Sequence, residues 1–218
     1  MKYARQSVKD YWVFEHKKAL GLSFLIFSAS YSIGITFLLI INYFFLPNLF
    51  TAFTVVLLLF LIAALVMVGG FINAHNKVVK IMTPKERRAH SKHVGIFLIL
   101  FFIGLLLCMV PLIFYVYPGD IMFLLSIGGV LLLLYIIAAF IFNYKYYELA
   151  FASIFMWAVF VVSVFLITPI YFSNAALFEV ISFLITSVTI VTVFGMSGIM
   201  LLASSAEEIV RKSNLAKF

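Results

Sequence analysis

Charge is what this sequence has least of. Asp, Glu, Lys and Arg make up only 11% of its 218 residues, while 66% are hydrophobic. Soluble domains are about 25% charged and about 45–50% apolar. A water-soluble fold cannot hide this much apolar surface, but lipid accepts it. A helix needs about 20 mostly apolar residues to cross a hydrocarbon core about 30 Å thick.

Other absences narrow the chemistry. The single cysteine, Cys108, excludes an internal disulfide. Between Leu107 and Met109 it reads as a small apolar residue. There is no phosphate-binding glycine loop, no HExxH, no CxxC and no paired-carboxylate site. The longest polar interval is residues 73–93, which leaves no room for a soluble catalytic domain. Residues 1–18 are too polar for too long to be a signal peptide, and the apolar run behind them is too long.

Six apolar runs remain, over residues 19–45, 51–72, 94–117, 121–142, 149–172 and 176–203. In lipid each run must satisfy its own backbone, which demands helices. The alternating polarity of barrel strands is absent. Residues 1–18, 73–93, 143–148 and 204–218 hold all 15 Lys and Arg, and the opposite turns hold none. Positive loops stay on the cytoplasmic side. The expected fold is therefore an all-α integral membrane protein of six transmembrane helices with cytoplasmic N- and C-termini. It is preceded by an amphipathic interfacial helix at residues 1–18, with Ala4, Val8, Tyr11 and Trp12 on one face. The expected location is the plasma membrane, and the lipid bilayer is the first partner. The distribution of the +7 charge beside apolar runs argues against nucleic acid.

Residues 73–93 organise the chain. Thr83-Pro84-Lys85-Glu86 matches a capping box with proline at the first helical position, so the third helix should start near Pro84 and project from the membrane. Lys85, Arg87, Arg88 and Lys92 on that projection are the candidate docking residues, for a cytoplasmic partner or for lipid headgroups. At the far end, Glu207 and Glu208 precede Arg211 and Lys212 by four residues. That spacing favours a sixth helix running on past the bilayer.

Within the spans the one charged side chain is Glu179, near the outer start of the sixth. A charge in the membrane is a functional candidate by default, here for a transport pathway. Its shallow position equally suits snorkelling outward. Ser182, Thr186, Ser187, Thr189, Thr192 and Ser197 in the sixth span, and Ser28, Ser30, Ser32 and Thr36 in the first, suit either a polar path or helix contact. Gly195-Met196-Ser197-Gly198 is similar to the serine motif of rhomboid-type proteases. No span carries a histidine to act as base, so a serine nucleophile is excluded. Glu86, His90 and His93 share one helix face at a metal-ligand spacing that His75 could join. The surrounding Arg87, Arg88 and Lys92 would repel a cation. No metal, no cofactor and no catalytic residue is expected; Glu148 beside Tyr146 and Tyr147 is the best acid–base candidate on the inner side.

An amphipathic start, six spans, both ends inside and a longer segment between spans two and three together resemble the smaller ABC-2-type transporter permeases. The resemblance implies that residues 77–93 couple to an ATPase. The chain departs from that family at residues 173–175, where re-entrant helices are usual. The expected function is a permease subunit for a lipophilic or amphiphilic solute, energised by a partner, in a homo- or hetero-oligomer. The alternative is a structural or accessory subunit of a larger membrane complex.

Overall fold

The computed structural model describes residues 2–45, 49–113, 119–142 and 144–215. These form six helices and no strand: α1 (Lys2–Phe45), α2 (Leu49–Val79), α3 (Pro84–Ile113), α4 (Gly119–Phe142), α5 (Tyr147–Ser173) and α6 (Ala175–Leu215). Among the described residues, four stretches are long and apolar enough to cross a membrane: Asp10–Thr36, Ile121–Phe140, Tyr147–Ile170 and Leu177–Glu207. The turns at Pro47 and Pro118 lie outside the described residues. So do the side chains of Ala4, Val8, Cys108, Glu208, Arg211 and Lys212.

Local chemistry sets the helix ends. α3 begins at Pro84 behind Thr83, and half of the capping box is formed. The Thr83 backbone N–H donates to Glu86 Oε2 at 3.2 Å, and the Thr83 hydroxyl donates to the same oxygen at 2.7 Å. Thr83 O accepts the Arg87 N–H at 2.9 Å, the first bond of the helix. Asn174 alone joins α5 to α6. Its N–H closes α5 on Ile170 O at 2.7 Å, and its Oδ1 accepts the Leu177 N–H at 3.1 Å. One residue thus satisfies orphan groups of two helix ends.

Each helix packs on the next in sequence, and α6 closes the ring on α1. The α1–α6 seam is the most extensive, α2–α3 the least, and α4 also touches α6 across the ring. The main core joins Leu20, Phe24 and Tyr31 of α1 to Phe97 of α3, Leu124 of α4, Met156 of α5 and Ile190 of α6. The outward face stays apolar: Phe165 is 76% exposed and Phe172 82%. Lipid-facing surface needs no polar cover.

Where lipid is the solvent, helices associate through close packing and hydrogen bonds rather than through hydrophobic exclusion. The α1–α6 seam closes on Gly21 and Gly198; a Cβ on either would lie 2.9 Å from the other's carbonyl oxygen. Ser28 Oγ donates across the same seam to Val191 O at 2.8 Å. Between α4 and α5, Ser153 Oγ donates to Gly128 O at 2.7 Å, and Trp157 Nε1 donates to Leu125 O at 3.2 Å.

The interfacial helix expected at residues 1–18 has no boundary of its own. α1 runs unbroken from Lys2 to Phe45, about 66 Å at 1.5 Å per residue. An interfacial helix keeps its polar side chains at water or headgroups, Lys17 among them. In the folded chain Glu15, His16 and Lys17 are all buried.

The glycine seam is open to test. Gly198→Ala should destabilise by roughly 1–3 kcal/mol, the usual cost of overpacking, because the obstacle is backbone and cannot yield. Gly69→Ala, with nothing within 4 Å of the added methyl, should be neutral or stabilising by about 0.5–1 kcal/mol. Thermal unfolding of both variants in detergent measures the difference.

Candidate functional site

The polar residues gather at one end of the ring, where the first turns of α1, the end of α2, the start of α3, the α4–α5 corner and the last third of α6 meet. Trp12, Val13, Glu15, His16 and Lys17 are all buried there, while Tyr11 and Lys18 on the opposite side of the same turns are exposed.

One side of the enclosure is an ion pair. Lys17 Nζ donates to Glu148 Oε1 at 3.0 Å, with both side chains less than a tenth exposed. Lys17 Nζ also reaches Ser204 Oγ at 3.0 Å and lies 5.3 Å from the centre of the Tyr144 ring. The Ser204 hydroxyl donates to Glu148 Oε1 at 2.6 Å. Three helix segments, α1, α5 and α6, are thus tied through one carboxylate oxygen. On the other side of α1, Glu15 Oε2 accepts from Lys77 Nζ of α2 at 2.9 Å. Lys77 is held above its ordinary lysine value by that hydrogen bond and by the carboxylate's charge.

Between the two ion pairs lies a cluster of imidazoles. His16 Nδ1 donates to Trp12 O at 2.9 Å, since a carbonyl can only accept. That fixes the tautomer and leaves Nε2 buried without a hydrogen-bond partner. The His90 ring of α3 stands edge-on to His16 at 5.8 Å and stacks on His75 of α2 at 5.1 Å. His75 Nε2 and the Ser91 hydroxyl share a hydrogen bond of 3.0 Å. Trp12 and Phe71 cover the cluster, 4.6 Å and 5.3 Å from the His16 ring. Burial lowers His75, and it lowers His90 to about 3, with further contributions from the charges of His16, His75 and His93. The His75 and His90 rings are therefore neutral at physiological pH and pack as aromatics. Among the described residues no group of three His, Cys, Asp or Glu is arranged to hold a metal ion.

The sequence-derived candidates are distributed unevenly around this centre. Lys85, Arg88 and Lys92 are exposed on α3. Arg87 is exposed as well, but its Nη2 donates to Val79 O at 3.2 Å and caps the end of α2. Glu86 is engaged with Thr83, His90 turns into the cluster and His93 is exposed, so the face they share does not act as one site. Glu179 is exposed near the start of α6, at the end of the ring away from Lys17 and Glu148. Ser28 makes a helix contact, while Ser182, Ser187 and Ser197 bury their hydroxyls without a hydrogen-bond partner.

Sequence reasoning missed the two ion pairs and the His16–His90–His75 cluster. Their partners are 131 and 62 residues apart for the pairs, so no local spacing announces them. One hint was available: Glu15 and Glu148 are acids in otherwise basic segments. No protein-family model, no curated protein and no solved structure matches the chain.

Two measurements probe this centre. Lys17→Met leaves Glu148 buried and unpaired, which should cost about 3–5 kcal/mol, whereas Lys17→Met with Glu148→Gln should recover most of that loss. Thermal unfolding of the single and double variants reads the difference. The pH dependence has a definite sign. His90 binds its proton less readily folded than unfolded, so its contribution is complete above about pH 6.5 and fades as pH falls toward the folded value. Between pH 7 and pH 5 the loss from His90 should be about 2 kcal/mol, and His90→Phe should flatten the profile.

Proposed function

We propose that the chain is a permease subunit of the plasma membrane, with six spans and both termini cytoplasmic. It moves a lipophilic or amphiphilic solute and is energised by a cytoplasmic partner. The basic end of the ring is then the cytoplasmic end, in keeping with the retention of positive loops on that side.

The observation that supports this reading is the two-sidedness of the first turns of α3. His90 is packed against His16 and His75, while Lys85, Arg88 and Lys92 project outward from the same turns. A partner that pulls on the outward cations displaces an element joined directly to α1 and α2. Through Lys17 and Glu148, α1 is joined in turn to α5 and α6. An exposed handle tied to a buried junction is what energisation from outside the chain requires.

The second reading is an accessory subunit of a larger membrane complex. It is favoured by the tight Gly21–Gly198 seam and by Glu179 facing outward rather than into the bundle. Purification in mild detergent separates the two. Under the permease reading an ATPase accompanies the chain in fixed ratio and is lost when Lys85, Arg88 and Lys92 are changed to Glu. Recovery with a large assembly that contains no ATPase would replace that reading with the second.

A further inference from the structure

We infer that the outer side of the α1–α2 seam is a binding site for an anionic phospholipid, with the phosphate at Lys18 and an acyl chain lying over Gly69. The inference needs only that the chain lies in a membrane. It uses neither the solute nor the energising partner of the reading above.

Two contacts fix the register of these antiparallel helices. A Cβ on Gly70 would lie 3.6 Å from both Ala19 Cβ and Ser23 Oγ. Further along α2, Lys77 Nζ meets Glu15 Oε2 at 2.9 Å. Residues 69–77 of α2 therefore run beside residues 15–23 of α1 in the opposite sense. Asn73 falls at the level of Lys18, and Gly69 at the level of Leu22.

Helical spacing separates the outward positions from those in the seam. On α1, Tyr11, Lys18, Leu22 and Ile26 share one face, and all four are exposed. On α2, Ile62, Gly69, Asn73 and Lys77 share one face at the same intervals, and all four are exposed. The two stripes flank a furrow. A Cβ added at Gly69 meets nothing within 4 Å, so the furrow is open at that level.

The chemistry changes once along it. Toward the basic end stand the Lys18 and Lys77 ammonium groups and the Asn73 amide, all of which donate hydrogen bonds. Away from that end the stripes continue as Leu22, Ile26 and Ile62, which are aliphatic. Glu15 does not oppose an anion here, because it is buried and already paired with Lys77. A phospholipid carries the same order of groups, an anionic phosphate followed by a hydrocarbon chain. A soluble anion would use the donors and leave the open furrow empty. An uncharged lipid would use the furrow and leave Lys18 unmatched. An anionic phospholipid uses both, and basic pockets between helices on the cytoplasmic side suit such headgroups.

The test uses the full chain, purified in detergent and delipidated. Phosphatidylglycerol is the probe, and phosphatidylcholine with the same acyl chains is the reference. Native mass spectrometry counts bound lipid as each is titrated. The unmodified chain should prefer phosphatidylglycerol. Lys18→Gln should weaken phosphatidylglycerol binding by about five-fold and leave phosphatidylcholine unchanged, the usual effect of one lysine near a headgroup. Gly69→Leu fills the furrow and should weaken both lipids by about five-fold or more. Lys145→Gln removes an exposed cation elsewhere at the basic end, and Gly129→Leu adds bulk at an open position of α4; both should bind as the unmodified chain does. Unchanged binding in Lys18→Gln overturns the site. Equal losses in Lys18→Gln and Lys145→Gln overturn it too, because the attraction is then a diffuse basic field. Unchanged binding in Gly69→Leu also overturns it, since an anion is then held without its chain. So does displacement of the bound lipid by glycerol 3-phosphate at matched concentration.

Discussion

A charge removed from water must find its opposite, and in this chain that requirement falls on Lys17 and Glu148. Both side chains are less than a tenth exposed, and each would be costly to bury alone. Their meeting determines much else. α1 can run straight through the level where a free lysine would otherwise have to turn to the interface. The start of α5 must stand beside α1 rather than drift outward with its neighbouring tyrosines. α6 must continue far enough for Ser204 to share the same carboxylate oxygen. The Glu15–Lys77 pair repeats the arrangement toward α2, but Lys77 is 44% exposed, so water already screens it and its hold is weaker.

Away from that end the structure obeys a different rule. No charge needs a partner, and lipid offers no hydrophobic penalty for helices that stay apart. Proximity itself has to be favourable, which selects small residues and hydroxyls at the seams. Gly21 against Gly198 and Ser28 on Val191 O act between α1 and α6; Ser153 on Gly128 O and Trp157 on Leu125 O act between α4 and α5. Where the seams leave room, aromatic rings fill it. Phe194 stands edge-on to both Phe24 and Phe27, at 4.9 Å and 4.7 Å, favourable geometry for rings with charged edges and faces. The Gly195–Gly198 segment that has the outline of a nucleophile motif belongs to this packing, with Ser197 buried and Gly198 at the crossing.

The division between what the sequence disclosed and what it withheld follows interaction range. Helix starts and stops depend on residues three or four positions apart, and these were readable: Thr83 with Glu86 at the head of α3, and the short turn at Asn174. Apolar runs long enough to span a membrane were readable for the same reason, because length and composition are local. α1 runs without a break through residue 18, and Glu15, His16 and Lys17 are buried on it because distant residues receive them. The histidines show the limit most clearly. His75, His90 and His93 were weighed by their spacing along one helix and loop, yet the partner that matters to His90 besides His75 is His16, on a helix two elements away. Periodicity ranks faces of one helix and is silent on which helix will cover them.

The two rules together bear on where function can reside. Along most of its length the ring offers hydroxyls, glycines and aromatic rings, groups that fix distance between helices but exchange little energy with a passing solute. Glu179 is exposed near one end and separated from every other charge within the apolar stretches. The basic end concentrates what can change state: ion pairs that can break, ring nitrogens that lack partners, and cations on α3 that remain accessible. On the proposed reading a partner would act at that end, because the exposed cations of α3 lie within about a turn of His90, which packs on His16 and His75.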